Sequence, residues 1–306
     1  MQLLRPLAAG LLLCASSALA DPITISDGSH VLELPGTPER VVALEFSFVD
    51  ALASVGVSPV GVADDNDASR LPPEVREVTG DWTSVGTRAQ PATETIAALK
   101  PDLIIADLDR HAASYETLSA IAPTLLLPSR GESYEESLAS AEIVGHAVGR
   151  DAEMAARLEL HHERMADYAA KAKAVLPGGA TVIFGAARED SLSLHGPDSY
   201  SGGVLQSLGL TVPEIREGGD AYEFVSIEQL LALDPGYLLV GHYRRPSIVD
   251  TWQDGPLWSV LGAAQQGHVV AVDSNVWARN RGIIAAEKIA RTTIEILDGS
   301  YAAPQE

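Results

Sequence analysis

Cysteine is almost absent from this sequence of 306 residues, since Cys14 is the only one. An internal disulfide and a zinc or iron–sulfur site built from several cysteines are therefore excluded. Basic residues are also scarce: 21 Lys and Arg stand against 42 Asp and Glu, so the formal net charge is -21. Such an acidic surface repels a phosphate backbone, and nucleic acid is not expected as a partner.

Familiar catalytic motifs are also lacking. The sequence contains no Gly-x-Ser-x-Gly, no Gly-x-x-x-x-Gly-Lys and no His-Glu-x-x-His. The chain is therefore expected not to be an enzyme. An exported hydrolase remains the alternative of another class, because His195, Asp198 and Ser199 lie close together in one predicted loop.

Long apolar runs are confined to the N-terminus. A basic start with Arg5 is followed by the apolar run Leu7–Leu13 and by small residues ending at Ala20. This is the plan of a secretory signal peptide, so residues 1–20 are expected to be cleaved after Ala20 and the protein to be exported. Lipid anchoring at Cys14 is not expected, because Leu13 stands where a lipoprotein signal has a small residue.

An internal repeat indicates two similar lobes. Residues 94–106 (ETIAALKPDLIIA) and 228–240 (EQLLALDPGYLLV) share four of thirteen positions and the same order of Glu, helical turn, Pro and aliphatic strand. A second pair, 50–59 and 203–213, resemble each other in the same order, with Gly56 and Gly209 expected after helix ends. We therefore predict a duplicated lobe.

Short aliphatic runs alternate with helical patterns along the whole chain. This alternation is typical of mainly parallel sheets covered by helices, so the predicted fold class is α/β. The predicted strands are Val41–Leu44, Val57–Val62, Leu103–Ala106, Thr124–Leu127, Val182–Phe184, Tyr237–Val240 and Val269–Val272.

One long helix is predicted between the lobes. A first amphipathic segment, 133–148, ends at Gly149, and Asp151 is then expected to cap a helix that runs to Val175. We assign residues 21–149 to the N-terminal lobe, 150–176 to a linker helix and 177–306 to the C-terminal lobe. A single stiff helix predicts only modest closure of the two lobes.

Arginines follow many of the predicted strands, and Arg outnumbers Lys 17 to 4. Loops at the carboxyl ends of parallel strands open on one edge, and Arg forms bidentate bonds to carboxylates and phosphates. A cleft for an anionic small ligand is therefore predicted. Its expected arginines are Arg70, Arg88, Arg110, Arg130, Arg188, Arg244, Arg279 and Arg281.

Aromatic and histidine residues lie in the same loops. Flat faces for a chelate are expected from Trp82, Tyr200, Tyr222 and Trp277. Direct metal binding by His111, His195 and His242 is the alternative, but neighbouring arginines oppose a bare cation. No cofactor and no direct metal ligand are therefore expected.

Four segments resemble the periplasmic iron-chelate binding proteins of ABC importers. They are 40–65 (RVVALEFSFVDALASVGVSPVGVADD), 82–107 (WTSVGTRAQPATETIAALKPDLIIAD), 129–145 (SRGESYEESLASAEIVG) and 225–240 (VSIEQLLALDPGYLLV). The ferric-citrate and ferric-siderophore branch is the most similar. The resemblance implies two α/β lobes bridged by one helix, and a monomeric periplasmic receptor for an anionic ferric chelate. A hydroxamate or catecholate siderophore, heme and cobalamin remain alternative ligands.

The resemblance also implies roles for particular residues. A glutamate on each lobe, Glu94 and Glu228, occupies the position that pairs with arginines of the membrane permease in that family. Arg88 in the VGTR motif and Arg110 resemble the chelate-binding arginines of the first lobe. Arg279 and Arg281 resemble their partners on the second lobe.

Overall fold

The computed structural model describes residues 22–26, 30–176 and 178–303. The predicted signal peptide, its cleavage site and Cys14 lie outside these residues. Two α/β lobes, each built around a five-stranded sheet, are joined by one long helix. The predicted fold class is thereby confirmed.

The first lobe contains nine strands and six α-helices among the described residues. In chain order they are β1 (Ile23–Ser26), β2 (Val31–Leu34), β3 (Val41–Ala43), α1 (Phe46–Ser54), β4 (Gly61–Val62), α2 (Pro73–Thr79), β5 (Thr83–Ser84), β6 (Gly86–Thr87), β7 (Gln90–Pro91), α3 (Thr93–Ala98), β8 (Leu103–Asp107), α4 (Leu108–His111), α5 (Tyr115–Ser119), β9 (Thr124–Leu127) and α6 (Tyr134–Ala147).

The long helix α7 (Asp151–Val175) leads into the second lobe. The elements of this lobe are β10 (Val182–Ala187), β11 (Leu192–His195), α8 (Tyr200–Ser207), β12 (Tyr222–Val225), α9 (Ile227–Leu233), β13 (Tyr237–His242), α10 (Ile248–Gln253), α11 (Gly262–Gln265), β14 (Val269–Val272) and α12 (Ile283–Asp298). A π-helical turn, Asn275–Arg279, lies between β14 and α12.

The two large sheets differ in strand direction. The first, in the order β5-β4-β3-β8-β9, is parallel throughout. The second, in the order β12-β11-β10-β13-β14, is parallel at β10, β13 and β14 but antiparallel at β11 and β12. The sequence did not predict β11 and β12. The strand predicted over Val57–Val62 was too long, because β4 begins only after Pro59, which has no N–H to donate.

The central strand β3 is buried on both of its faces. In β3 and the residue after it, Val41 and Ala43 pack in one hydrophobic cluster, while Val42 and Leu44 pack in another. Successive side chains of a strand point to opposite faces, so this sheet needs helices on both sides. Burial on two faces explains why the strand reads as a continuous aliphatic run.

The internal repeat is visible in the backbone. The helix–Pro–strand unit recurs as α3 with β8 and as α9 with β13. The residue before the proline is left-handed in both copies, with φ 48° at Lys100 and 39° at Asp234. Gly56 and Gly209 follow their helices with positive φ, at 71° and 79°. This confirms the prediction that both glycines lie just after helix ends.

The helix α7 has 25 residues and is therefore about 37 Å long. Its buried residues, Met154, His161, Met165 and Ala172, form a stripe, and the helix packs against α6 and α12. The predicted N-cap was wrong by one residue, because Arg150 occupies the cap and Asp151 is the first helical residue. Among the residues that the structure describes, no helix has the length and apolar character needed to cross a membrane.

Candidate functional site

A polar cleft opens between the lobes at the carboxyl ends of the central strands. Its volume is about 610 Å³. Both lobes contribute to it through residues that follow β6, β8, β9, β10, β13 and β14. This is the edge at which parallel α/β sheets bind ligands. The lining includes Asp65, Arg70, Arg88, Asp109, Arg110, Arg130, Arg188, His195, Tyr222, Phe224, Tyr243, Arg279 and Arg281.

Eight of the twelve residues predicted to bind a ligand come together in this cleft. They are Arg70, Arg88, Arg110, Arg130, Arg188, Tyr222, Arg279 and Arg281. Their convergence follows from the topology, because the strands that precede them end at a common edge. Their role in binding stays a prediction.

The other four predicted residues do not line the cleft. Trp82 lines a separate cavity of the first lobe, where its Nε1 donates to Asp64 at 3.1 Å. Tyr200 and Trp277 are buried in the core of the second lobe, where Trp277 packs against Phe184 at a centroid distance of 5.3 Å. Arg244 is exposed elsewhere on the surface.

Residues of the first lobe hold the side chain of Arg88 in place. Its Nη2 lies 2.8 Å from Oδ2 of Asp65 and its Nε lies 3.1 Å from the same oxygen, while its guanidinium covers the ring of Phe46 at 4.1 Å. Arg70 also contacts Oδ2 of Asp65, at 2.9 Å. Burial raises the pKa of Asp65, but the hydrogen bonds from Arg88 and Arg70 outweigh it and lower the pKa below its ordinary value.

A buried carboxylate lies beneath the first-lobe arginines. Oε1 of Glu45 is 2.6 Å from Nε of Arg110, and Oε2 is 3.5 Å from Nη1 of Arg88. Burial raises the pKa of Glu45, although both arginines oppose the shift. Arg88 and Arg110 therefore each have a carboxylate partner within the protein.

The remaining arginines of the cleft are not neutralised by a carboxylate. Within the described part of the chain, no carboxylate oxygen lies within 4.0 Å of the guanidinium groups of Arg130, Arg188, Arg279 or Arg281. None of the four forms a direct ion pair with a described residue, although the buried carboxyl groups of Glu132 and Glu45 act on Arg281 from a greater distance and help to raise its pKa.

Two tyrosines of the lining orient three of these arginines. The guanidinium groups of Arg188 and Arg279 stack on the ring of Tyr243, at 4.6 and 3.9 Å from its centroid. Such stacking orients a guanidinium without neutralising it. Nη2 of Arg281 donates a hydrogen bond to the hydroxyl of Tyr222 at 3.3 Å.

Some lining residues were not selected from the sequence. Tyr243, Asp65 and Phe224 line the cleft but were not predicted to bind a ligand. The acidic loop 64–67 before Arg70 was the available signal for Asp65. Phe224 belongs to β12, a strand that the sequence did not predict, so no signal pointed to it.

The three histidines considered as metal ligands are engaged separately. Nδ1 of His111 accepts the backbone N–H of Asp107 at 2.9 Å, Nδ1 of His195 lies 2.8 Å from the hydroxyl of Ser201, and Nδ1 of His242 lies 2.9 Å from the hydroxyl of Ser247. Burial, and then the charge of Arg281, lowers the pKa of His195 to about 3. Nowhere in the described residues do three or more His, Cys, Asp or Glu side chains form a cluster that suits a metal ion.

Glu94 and Glu228 lie outside the cleft. Each is the second residue of a short helix, α3 or α9, and each is exposed. They occupy matching positions of the internal repeat. An acidic side chain in the first helical turn also opposes the positive helix start, so the position alone gives them a local structural role as well.

Known proteins similar to this chain bind iron chelates or share its fold. The Fe(3+) dicitrate-binding periplasmic protein FecB of Escherichia coli is 54% identical over 293 residues, which are 96% of this chain and 95% of FecB. The Fe(3+)-citrate-binding protein YfmC of Bacillus subtilis is 39% identical over 280 residues, with 90% and 86% covered. The crystal structure of Staphylococcus aureus SirA with staphyloferrin B superimposes with a TM-score of 0.78 at 23% identity, covering 91% of this chain and 99% of SirA.

A family model supports the same relationship. The model described as "Periplasmic binding protein" matches residues 41–276. This range includes most of both lobes and the whole of α7. The chain belongs to the periplasmic binding protein family.

Proposed function

We propose that this protein is the substrate-binding component of an ABC importer for iron(III), and that it carries an anionic ferric chelate such as ferric citrate. Two relatives whose names specify ferric citrate, at 54% and 39% identity, support the ligand class. In this role the protein binds its ligand, delivers it to a membrane permease and performs no chemical reaction on it.

The charge of the cleft carries the proposal. Among the residues that the structure describes, seven arginines but two carboxylates line the cleft, in a chain with a formal net charge of -21. Four of these arginines lack a carboxylate within 4.0 Å among the described residues. A concentration of unneutralised cations in a partly enclosed cleft favours an anionic ligand, and Arg donors match the planar carboxylates of citrate.

The iron is part of the substrate. The chelator surrounds the ferric ion, so the protein recognises the outer negative charge of the complex through the arginines. The hydroxyl of Tyr222 and the ring of Tyr243, which also line the cleft, orient arginines of the second lobe. Recognition of outer charge requires no direct bond between the iron and a side chain of the protein.

We also propose that the protein acts in the periplasm as a monomer, after cleavage following Ala20. The signal-like residues 1–20 support export, and a cleft completed by residues of one chain needs no second copy. N-terminal sequencing of the protein recovered from the periplasmic fraction tests the cleavage. A first residue other than Asp21 contradicts the predicted site.

Calorimetric titration tests the ligand. Ferric citrate is compared with iron-free citrate, a neutral ferric hydroxamate, a ferric catecholate, heme and cobalamin. We expect saturable binding of ferric citrate, and weaker binding after Arg279→Ala. Arg150→Ala is the matched control, because Arg150 is exposed at the start of α7 and pairs with Glu153 at 2.8 Å, away from the cleft. Preference for a neutral chelate, or ester hydrolysis without any chelate binding, would overturn the proposal.

A further inference from the structure

Arg279 and Arg281 flank a buried asparagine. Asn280 is 2% exposed, whereas both of its neighbours line the cleft. The backbone at Asn280 is extended, with φ -87° and ψ 146°, and successive side chains of an extended chain project to opposite sides. The inward side chain of Asn280 therefore sets the two guanidinium groups on the side of the cleft.

The amide of Asn280 uses both of its donors. Its Nδ2 donates to the backbone oxygen of Arg70 at 2.7 Å and to the backbone oxygen of Asn275 at 2.9 Å. An asparagine amide has two N–H donors, so none remains. Arg70 belongs to the first lobe and Asn275 to the second. One buried side chain therefore joins the lobes beside the cleft.

Two further contacts hold the same segment against the first lobe. Nη1 of Arg88 donates to the backbone oxygen of Arg279 at 3.3 Å. A few residues later, the buried carboxylate of Asp50 in α1 accepts the backbone N–H groups of Ile284 and Ala285, both at 3.0 Å. These bonds satisfy donors at the start of α12, which the helix itself leaves unpaired.

The close approach of α1 to this segment requires a glycine. Gly282 has φ 114°, and a Cβ atom at this position would lie 2.5 Å from Cγ of Asp50. The carbonyl of Gly282 accepts the hydroxyl of Tyr200 at 2.6 Å from the second lobe. The segment 279–285 is thus bonded to both lobes at once.

We propose that Asn280 is a positioning residue for ligand recognition: its amide holds Arg279 and Arg281 in a fixed relation to Arg70 and Arg88. The inference rests on the proposed function, because it concerns the same cleft. Arg279 and Arg281 follow the strands of the second sheet in the chain. In the cleft, however, they lie together with Arg70 and Arg88 of the first lobe. Donors held in place before binding lose less freedom when the ligand arrives.

The test is a set of variants titrated with ferric citrate. Asn280→Ala removes both amide bonds and leaves every arginine present. We expect the dissociation constant to rise about tenfold. This is the loss expected if the two less firmly held arginines together forfeit about one hydrogen bond to the ligand. In the Arg279→Ala/Arg281→Ala background, we expect Asn280→Ala to add less than about twofold, because the groups it positions are gone.

A matched control separates positioning from general stability. Thr293 is also buried, lies in α12 and donates to the backbone oxygen of Ile289 at 2.8 Å. Thr293→Ala should lower the melting temperature and leave the dissociation constant unchanged. If Asn280→Ala does not yield folded protein, Asn280→Ser preserves a polar side chain that is too short to reach Arg70.

The outcomes distinguish the two proposals. Failure of the parent protein to bind any ferric chelate contradicts the proposed function itself. Binding by the parent with an unchanged dissociation constant in the Asn280 variants overturns only the positioning role. An equal loss of affinity from Asn280→Ala with and without the two arginines also overturns it, because the effect would then not pass through them.

Discussion

Nη2 of Arg88 lies 2.8 Å from Oδ2 of Asp65, in a contact that is largely buried. The sequence predicted that Arg88 binds the ligand through its positive charge. Asp65 neutralises part of that charge. Arg279 has no such partner within the described residues and instead covers Tyr243 at 3.9 Å. We therefore expect Arg279, and the other cleft arginines without a carboxylate within 4.0 Å among the described residues, to contribute more to ligand binding than Arg88.

Arg279 should contribute strongly to the affinity for the ligand. Arg279→Ala should weaken ferric citrate binding about ten- to a hundred-fold, since a charge-assisted hydrogen bond contributes roughly 1.5–3 kcal/mol. Arg279→Lys should recover only part of the loss, because an ammonium lacks the planar guanidinium that stacks on Tyr243. Isothermal titration of the two variants measures this, and parent-like affinity in Arg279→Ala contradicts it.

Arg88 should behave differently. Arg88→Ala leaves Arg70 as the remaining partner of Asp65 and makes the net charge of the cleft more negative, so it should also weaken binding. Adding Asp65→Asn removes a negative charge, and the double variant should regain part of the affinity. Asp65→Asn added to Arg279→Ala is the control background. Equal effects of Asp65→Asn in both backgrounds would show that the Arg88–Asp65 pair does not determine the loss.

Glu132 should make the stability of the fold depend on pH. It is buried, and neither carboxylate oxygen has a hydrogen-bond partner among the described residues. Burial raises the pKa of Glu132 well above 4.5; Arg281 opposes the shift, while Asp107, Glu45 and Glu136 add to it. The folded chain therefore keeps a proton that the unfolded chain has released. The free energy of unfolding should fall as the pH rises above 4.5 toward the raised pKa.

Urea unfolding between about pH 5 and pH 8, followed by circular dichroism, measures this slope. Glu132→Gln cannot lose a proton and should flatten the decline. Glu135→Gln, at an exposed position of α6, should leave it unchanged. The assignment is contradicted if Glu132→Gln retains the slope of the parent. Asp50, whose pKa burial raises to about 7, acts in the same direction and should preserve part of the decline in both variants.

The sequence predicted the position of the cleft better than the individual residues that line it. Arginines such as Arg188, directly after β10, were found because parallel strands share one carboxyl edge. The same rule selected Tyr200 and Trp277, which point into the core instead. Position after a strand gives the location of a residue, whereas the direction of its side chain depends on packing that no local pattern specifies.

Contacts between distant segments of the chain could not be predicted from the sequence either. Asp65 reaches Arg88 from a left-handed backbone conformation, with φ 59°, in a loop that carries several acidic residues. The strands β11 and β12 were missed because their antiparallel pairing depends on a hairpin and a long return rather than on the aliphatic pattern of the parallel strands. Both features arise from contacts between segments that no local pattern connects.

Transport should depend on Glu94 and Glu228, whereas ligand binding should not. Both are exposed, and neither lines the cleft. In the Glu94→Ala/Glu228→Ala variant, we expect an unchanged dissociation constant for ferric citrate and loss of permease-dependent iron uptake. Glu116→Ala, an exposed glutamate on α5, is the matched control. Unchanged uptake contradicts the docking role, and a parallel loss of affinity would identify the pair as ligand or folding residues.

The two lobes should rotate only modestly on binding. The 25-residue helix α7 bridges them, and α12 of the second lobe packs against both α7 and α1. Asp50 and Asn280 add hydrogen bonds between the lobes beside the cleft. A large rotation would break these buried bonds and expose their groups to water, at a net cost in free energy for each bond. The cost of breaking them therefore opposes wide motion.

Distances between spin labels test this prediction. Cys14 is the only cysteine of the chain and lies in the predicted signal peptide, so labels can be introduced without interference. Glu116→Cys and Gln253→Cys place one label on an exposed helix of each lobe, and Glu77→Cys with Glu116→Cys provides a pair within the first lobe. Gallium citrate replaces ferric citrate, because iron(III) would shorten the relaxation of the labels. We expect the distance between lobes to change by no more than a few ångström and the control distance to stay constant. A rotation of several tens of degrees would mean that the bonds of Asp50 and Asn280 open during binding, and that α7 does not limit the motion.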